Sequence, residues 1–207
     1  MSLDLFIPFL IATVILLATP GPTILLVVSY ALAQGRGVAL PVVSGVILGD
    51  LLAMSASLPG LSVIMTASAS LFTVMKWAGA AYLAWMGWRM IRSAGRATAD
   101  LAKVAGKSKG AAFRDSALVT LLNPKSIGFF VAFVPQFIDP AAPFTPQFTV
   151  MIATFVGLGG VNALAYALLA ATLRSKVARP DRMAWLQRGS GAVLIGLAVF
   201  TTTLRRA

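Results

Sequence analysis

The sequence predicts an all-α integral membrane protein with six transmembrane helices, arranged as two inverted repeats of three helices. Three observations support this fold class: the composition, the length of the apolar runs, and a set of polar residues that recurs in the second half. Of 207 residues, 58% are hydrophobic and 11% are charged, whereas a soluble domain carries roughly 25% charged residues. Apolar runs repeatedly reach the ~20 residues that cross a bilayer core as a helix.

The apolar runs place six helices along the chain. They cover about residues 5–33, 38–60, 69–92, 114–137, 147–172 and 184–204. In lipid, backbone groups must bond within their own segment, so such runs are expected to be helical. We expect one membrane domain over 1–207, with a first repeat over about 1–92, a polar loop over about 93–113 and a second repeat over about 114–207.

Prolines interrupt the first and fourth predicted helices. The first contains Pro20-Gly21-Pro22 and the fourth contains Asn123-Pro124. A proline lacks the backbone N–H and its ring clashes with the preceding turn. Both helices are therefore expected to be broken near the middle of the membrane.

Basic residues orient the predicted bundle. The connections after helices one, three and five hold most of them: Arg36; Arg89, Arg92, Arg96, Lys103, Lys107, Lys109 and Arg114; Arg174, Lys176, Arg179 and Arg182. The connections 59–69 and 138–146 contain no Lys or Arg. An excess of Lys and Arg marks the cytoplasmic side, so both termini are expected to be periplasmic. The net charge of +11 is thus explained by topology and lipid, without nucleic acid.

Matching residues indicate the repeat. Gly45, Asp50, Lys76, Gly79 and Ala80 recur at one constant spacing as Gly157, Asn162, Arg188, Gly191 and Ala192. Three helices per half is an odd number, so the halves must cross the membrane in opposite directions. Inverted repeats with interrupted helices at matching positions are the sequence feature that best indicates a secondary-transporter site near the midplane.

The composition excludes several chemistries. With no Cys and no His, the chain has no disulfide, no thiol redox centre and no Cys- or His-ligated metal. No nucleophile–base pair and no nucleotide-binding loop is visible, so we expect neither an enzyme nor a bound cofactor or metal.

Three charges lie deep in the predicted helices. Asp50, Lys76 and Lys125 are each about 16–21 Å along a helix from the nearest basic residue at the cytoplasmic end. A charge at that depth is costly and should face the bundle interior with a partner. Asp50 is the candidate proton site, with Asn162 at its position in the second half. A static salt bridge from Asp50 to Lys76 or Lys125 is the alternative, and the sequence leaves both open.

The helix breaks are the candidate substrate site. A break frees carbonyl groups of the preceding turn, and the following half-helix begins with free N–H groups. The carbonyls suit a substrate ammonium and the N–H groups suit a carboxylate, so a zwitterion fits both ends. The predicted binding residues are Thr19, Pro20, Gly21, Pro22, Thr23, Asn123, Pro124, Lys125 and Ser126.

The motifs resemble a known family. They are Ala18-Thr19-Pro20-Gly21-Pro22, the segment from Gly45 to Gly49-Asp50, Lys76-x-x-Gly79-Ala80-x-Tyr82-Leu83, and Leu122-Asn123-Pro124-Lys125. Together they are similar to the LysE/RhtB family of amino-acid exporters, over essentially the whole chain. The wider superfamily includes cysteine-dependent electron carriers and heavy-metal exporters, and this chain lacks the residues for either chemistry.

The resemblance implies a bacterial inner-membrane exporter driven by the proton gradient. Its substrates would be amino acids or derivatives such as threonine, homoserine, homoserine lactone or lysine. The expected partners are the amino acid, protons and the lipid bilayer, and the sequence leaves monomer and homodimer open. A non-transporting membrane scaffold, in which the polar residues only fix packing, is the main alternative; a passive channel is another.

Overall fold

The structure, a computed structural model, describes residues 1–66, 69–92, 104–172 and 180–203, and the regular elements in these ranges are all helical. We label the α-helices α1 to α8 in chain order. They are α1 Leu3–Ala18, α2 Pro22–Gln34, α3 Ala39–Thr66, α4 Ala69–Arg92, α5 Lys109–Leu121, α6 Pro124–Ala132, α7 Phe144–Thr172 and α8 Pro180–Thr203. Short 3-10 turns follow α2 (Gly35–Val38) and α6 (Val134–Phe137).

Both predicted breaks are confirmed. The first predicted helix is divided into α1 and α2, and Pro22 is the first residue of α2. The fourth is divided into α5 and α6, and Pro124 is the first residue of α6. In each case proline takes the first helical position, where its missing N–H leaves no intrahelical bond unmade.

The predicted loop over 93–113 is wrong at its end. Helix α5 already begins at Lys109, because the side chain of Ser108 accepts a hydrogen bond from the Ala111 N–H at 3.2 Å and caps the first turn. A serine at this position is a strong start signal for a helix. Residues 93–103 of the predicted loop lie outside the described part of the chain.

Several stretches have the length and apolar character of membrane spans. Among the described residues, Phe144–Thr172 meets both conditions, and so does the continuous helical run Pro22–Ser57, which contains α2, the turn Gly35–Val38 and the first part of α3. The pair Lys109–Leu121 and Pro124–Phe137, bent by 42°, adds a third span if the two are counted as one. The helices Leu3–Ala18 and Arg188–Val199 are apolar but shorter.

The direction of the chain reverses between α2 and α3. Helix α2 is antiparallel to α5, because Thr23 near its start bonds to Asn123 and Tyr30 near its end bonds to Asp115. Helix α3 is parallel to α5: the backbone of Gly45 lies against Phe113 and Ser116, and that of Gly49, one turn later, lies against Ala117 and Thr120. The turn Gly35–Val38, with Gly35 at φ 74°, makes this reversal.

Glycines permit the closest helix contacts. A Cβ atom on Gly45 or Gly49 would overlap the backbone of α5, so the pattern Gly45-x-x-x-Gly49 is a packing interface. Helices α4 and α8 approach in the same manner, with Gly87 against Gly191. Small residues that bring helix backbones together are typical of membrane bundles.

The outside of the bundle is apolar. Large hydrophobic side chains such as Leu40 (74% exposed), Trp185 (75%) and Val161 (67%) have no protein neighbours to cover them. The buried polar side chains instead gather at the helix breaks and on α3 and α5, including Thr19, Thr23, Asp50, Asn123 and Lys125. A chain that is apolar outside and polar at its centre is arranged for lipid.

Candidate functional site

The last turn of α1 is satisfied by side chains. Pro20 and the N-cap Gly21 end the helical bonding, so most carbonyls of the last turn lack backbone donors, although the Leu16 carbonyl still accepts from the Thr19 N–H at 3.2 Å. The Lys125 ammonium donates to the Leu16 carbonyl at 2.9 Å and to the Thr19 carbonyl at 2.7 Å. These distances are typical of charge-assisted hydrogen bonds.

Helix α7 supplies two further donors to the same turn. The Asn162 amide donates to the Leu17 carbonyl at 2.9 Å, and the Tyr166 hydroxyl donates to the Ala18 carbonyl at 2.8 Å. Asn162 and Tyr166 are one turn apart on α7, so both project from one face. The exposed backbone at the end of α1 is therefore held between α6 and α7.

The break between α5 and α6 is capped by its own residues. The Asn123 side chain accepts a hydrogen bond from the Lys125 N–H at 3.0 Å, which is a helix N-cap. Its amide group donates to the Thr23 hydroxyl of α2 at 2.8 Å, and the Thr120 hydroxyl also donates to Thr23 at 3.3 Å. These buried bonds join the two breaks directly.

A small cavity of about 20 Å³ lies where the breaks meet. Its lining combines both breaks with α3 and α7: Leu17, Gly21, Thr23, Ile24, Val46, Asp50, Asn123, Lys125, Ser126, Gly159 and Asn162. That is room for about one water molecule, so a solute has to widen the cavity to bind. The N-cap of α2, Gly21, has no side chain to bond to the first N–H groups of that helix.

Asp50 and Lys125 place opposite charges in this cavity. Both are buried, with 3% and 4% of the residue exposed, and each is close enough to act electrostatically on the other. Within the described residues, however, the recorded salt bridges do not include one between them. Lys125 bonds to the α1 carbonyls, while the Asp50 carboxylate lies against the backbone of Gly159, whose added Cβ would be 2.8 Å from it.

Most of the predicted site residues come together here. Gly21, Thr23, Asn123, Lys125 and Ser126 line the cavity with Asp50 and Asn162, as predicted from the broken helices. Thr19 contributes its carbonyl, and its hydroxyl donates back to the Ile15 carbonyl at 2.7 Å. Pro20, Pro22 and Pro124 act on the backbone, by ending or starting helices. Lys76 lies on α4, and its side chain lies outside the described part of the structure.

Sequence reasoning missed two polar-contact residues of the site, Tyr166 and Gly159, and the apolar lining residues Leu17, Ile24 and Val46. Tyr166 was not singled out, although it lies one turn after Asn162 on α7, and that spacing could have indicated it. Gly159 was missed because its role depends on the approach of Asp50 from α3, a contact between distant parts of the chain. The donors that the α1 carbonyls find were also unforeseen.

The polar groups of the site suit a zwitterionic solute. A carboxylate suits the uncapped start of α2, while an ammonium suits the Asp50 carboxylate and the α1 carbonyls. The site can therefore recognise both charges of one solute. The described residues contain no cluster of three His, Cys, Asp or Glu that would hold a metal ion.

Comparison with known proteins supports the same class. The family model of the LysE type translocators matches residues 14–204. A membrane protein of Vibrio cholerae, itself uncharacterised, is 32% identical over 207 residues, covering 99% of this chain and 100% of the relative. A homoserine/homoserine lactone efflux protein of Salmonella typhimurium is 29% identical over 208 residues, covering 100% of both chains. No solved structure matches the chain.

Together, the apolar helical bundle, its broken helices and its buried charged cavity define a membrane transport protein rather than an enzyme. The chain belongs to the LysE type translocator family, because the family model covers nearly all of it.

Proposed function

We propose that the protein exports amino acids or close derivatives from the bacterial cytoplasm across the inner membrane, in exchange for protons. The homoserine/homoserine lactone efflux proteins among its relatives make homoserine the first substrate to test. The cavity at the two breaks carries the proposal: it is buried among helices and lined by one acid and one base.

The proposed architecture has six membrane crossings in two inverted halves. Helices α1 with α2 form the first crossing and α5 with α6 the fourth, while α3, α4, α7 and α8 are the others. The antiparallel contact of α2 with α5 and the parallel contact of α3 with α5 support alternating crossings. The basic connections then face the cytoplasm and both termini face the periplasm.

Each polar group has a proposed role. Residues Thr19 to Thr23 and Asn123 to Ser126 hold the head group of the amino acid. Asp50 carries the coupling proton, since it is an acid that lines the cavity and Lys125 is bonded elsewhere. Lys76 or Lys125 balances the charge of Asp50, and Asn162 is the counterpart of Asp50 in the second half. Rocking of one half against the other alternates access to the cavity.

Reconstituted vesicles provide the test of export. The purified protein is placed in vesicles loaded with labelled homoserine, and the outside is made acidic so that proton entry drives efflux. We expect efflux to accelerate with the pH gradient and to lose this acceleration when a protonophore is added. Efflux that ignores the gradient would indicate a passive channel, and no efflux of any amino acid tested would refute the export function.

Asp50→Asn tests the coupling residue with little change in shape. We expect gradient-driven efflux to fall to background, because an amide has no titratable proton, while exchange of labelled homoserine across the membrane persists at a reduced rate. Asp139→Asn is the matched control: Asp139 lies in the connection before α7 and bonds to the Ala141 N–H, a bond that asparagine preserves. If the protein were a scaffold, neither substitution would change its function, and the two variants would behave alike.

A further inference from the structure

The Lys125 ammonium bonds to carbonyl groups at the end of α1, where the helix break leaves acceptors that suit a cation. Lys125 itself belongs to α6, yet its ammonium bonds to two of these carbonyls. The stem of the side chain runs close past Gly21, where a Cβ would be 3.2 Å from its Cδ and Cε atoms. The Lys125 stem therefore packs closely against Gly21.

The ammonium of Lys125 and that of an amino acid present the same chemistry. Each is a compact cation with three N–H donors and no acceptor. In the last turn of α1, the Leu17 and Ala18 carbonyls bond to Asn162 and Tyr166, and the Ile15 carbonyl bonds to Thr19. Lys125 bonds to the remaining pair, which are the Leu16 carbonyl, which also accepts from the Thr19 N–H, and the Thr19 carbonyl.

Asp50 provides an alternative position for the lysine. It lines the same cavity and interacts electrostatically with Lys125, but the two make no direct ion pair. A rotation of the flexible lysine stem can therefore exchange neutral carbonyl ligands for a carboxylate. The charge remains paired in either position, which limits the cost of keeping it in the membrane interior.

We propose that Lys125 is a tethered competitor of the transported substrate. In the empty carrier its ammonium occupies the substrate-ammonium subsite formed by the Leu16 and Thr19 carbonyls. The arriving amino acid takes those carbonyls, and Lys125 moves to Asp50. When the substrate leaves, the lysine returns, so the empty carrier never exposes unpaired carbonyls. This inference rests on the proposed function and adds to it what fills the site between substrates.

Lys125→Ala opens the subsite and allows chemical rescue. Propylammonium replaces the atoms that this substitution removes, and it should raise the thermal unfolding temperature of the variant but not that of the wild type. Propanol, which has the same carbon chain without the charge, should have no effect. Lys109→Ala, at an exposed position at the start of α5, is the control and should respond like the wild type.

Substrate binding separates competition from a structural role. A competitor lowers the apparent affinity of the site in proportion to its occupancy, so Lys125→Ala should bind homoserine about tenfold more tightly if the lysine holds the site nine-tenths of the time. The deaminated analogue of homoserine should gain nothing from the substitution. Propylammonium should compete with homoserine in the variant alone.

Other results would overturn the inference. Equal responses of wild type and variant to propylammonium, or weaker homoserine binding in the variant, would show that Lys125 is structural or contacts the substrate carboxylate. If Lys125→Ala does not fold, Lys125→Met retains the stem beside Gly21 and permits the affinity comparison. Rescue by propylammonium is measured without substrate, so it does not depend on export. Rescue can therefore fail while wild-type export succeeds, which refutes this inference alone, and export can fail while rescue succeeds, which refutes the proposed function alone.

Discussion

The two proline breaks of the chain look alike in sequence but satisfy their backbone groups differently. At the break between α1 and α2, carbonyls accept hydrogen bonds from Lys125, Asn162 and Tyr166, which belong to other helices. At the break between α5 and α6, Asn123 caps the following helix, and the backbone N–H groups of Leu122 and Asn123 bond back to α5. Apart from one backbone bond, from the Thr19 N–H to the Leu16 carbonyl, the first break depends on donors from other helices, whereas the second is closed by its own residues.

This difference shows how a repeated motif acquires two roles. The second break holds its own geometry and so can project Lys125 with a defined direction. The first break cannot satisfy itself, because Gly21 offers no capping side chain and Pro22 has no N–H. The first half of the chain therefore supplies the carbonyl acceptors, and the second half supplies the Lys125 ammonium that bonds to them.

The largest expected effect comes from separating α3 from α5, the helix that precedes the second break. In Gly45→Ala the new Cβ meets the Phe113 carbonyl and lies 2.9 Å from the Ser116 Cβ, so α3 and α5 must separate. We expect a loss of about 3 kcal/mol in the free energy of unfolding, measured in detergent. Gly157→Ala on α7, where nothing lies within 4 Å, is the control and should not be destabilised. Equal stability of the two variants would contradict the close packing.

The next effect concerns the junction between the breaks. Asn123→Ala removes the cap on α6 and the bond to Thr23, and should cost about 2 kcal/mol. Thr23→Val removes this bond and the longer one from Thr120 but keeps the cap, so it should cost less, about 1 kcal/mol. If Thr23→Val were as harmful as Asn123→Ala, the second break would depend on the first for its shape.

A smaller effect is expected at the first break. Tyr166→Phe removes one hydrogen bond to the Ala18 carbonyl and should cost about 1 kcal/mol of unfolding free energy. Since Tyr166 and Asn123 share no bonding partner, their effects should add in the double variant. A strong departure from additivity would show that the two breaks form one cooperative unit.

The sequence predicted the helices and their breaks more completely than it predicted the contacts between them. Helix positions and breaks followed from hydropathy and proline, which act locally along the chain. The positions of Asp50, Asn123 and Lys125 at one cavity followed from their depth and from the matching breaks. The start of α5 at Lys109 was missed because the cap at Ser108 lies within a polar segment that reads as loop.

The partner of Lys125 could not be predicted from the sequence. A deep lysine is expected to find a carboxylate, and Asp50 lies in the same cavity. The lysine instead bonds to carbonyls that exist only because α1 ends where it does. That choice depends on the approach of α6 to α1 and on the small size of Gly21, which are features of packing between distant segments.

The smallest expected effect tests the packing of the Lys125 stem against Gly21. In Gly21→Ala the stem of Lys125 must shift by a few tenths of an ångström, which should cost less than about 1 kcal/mol of unfolding free energy. Gly37→Ala, with nothing within 4 Å, lacks this contact and is the matched control. In the Lys125→Ala background the cost of Gly21→Ala should vanish, because neighbouring residues couple only through the contact they share. If the cost persisted there, Gly21 would be needed for the backbone of the first break, and the fit of Lys125 beside it would be incidental.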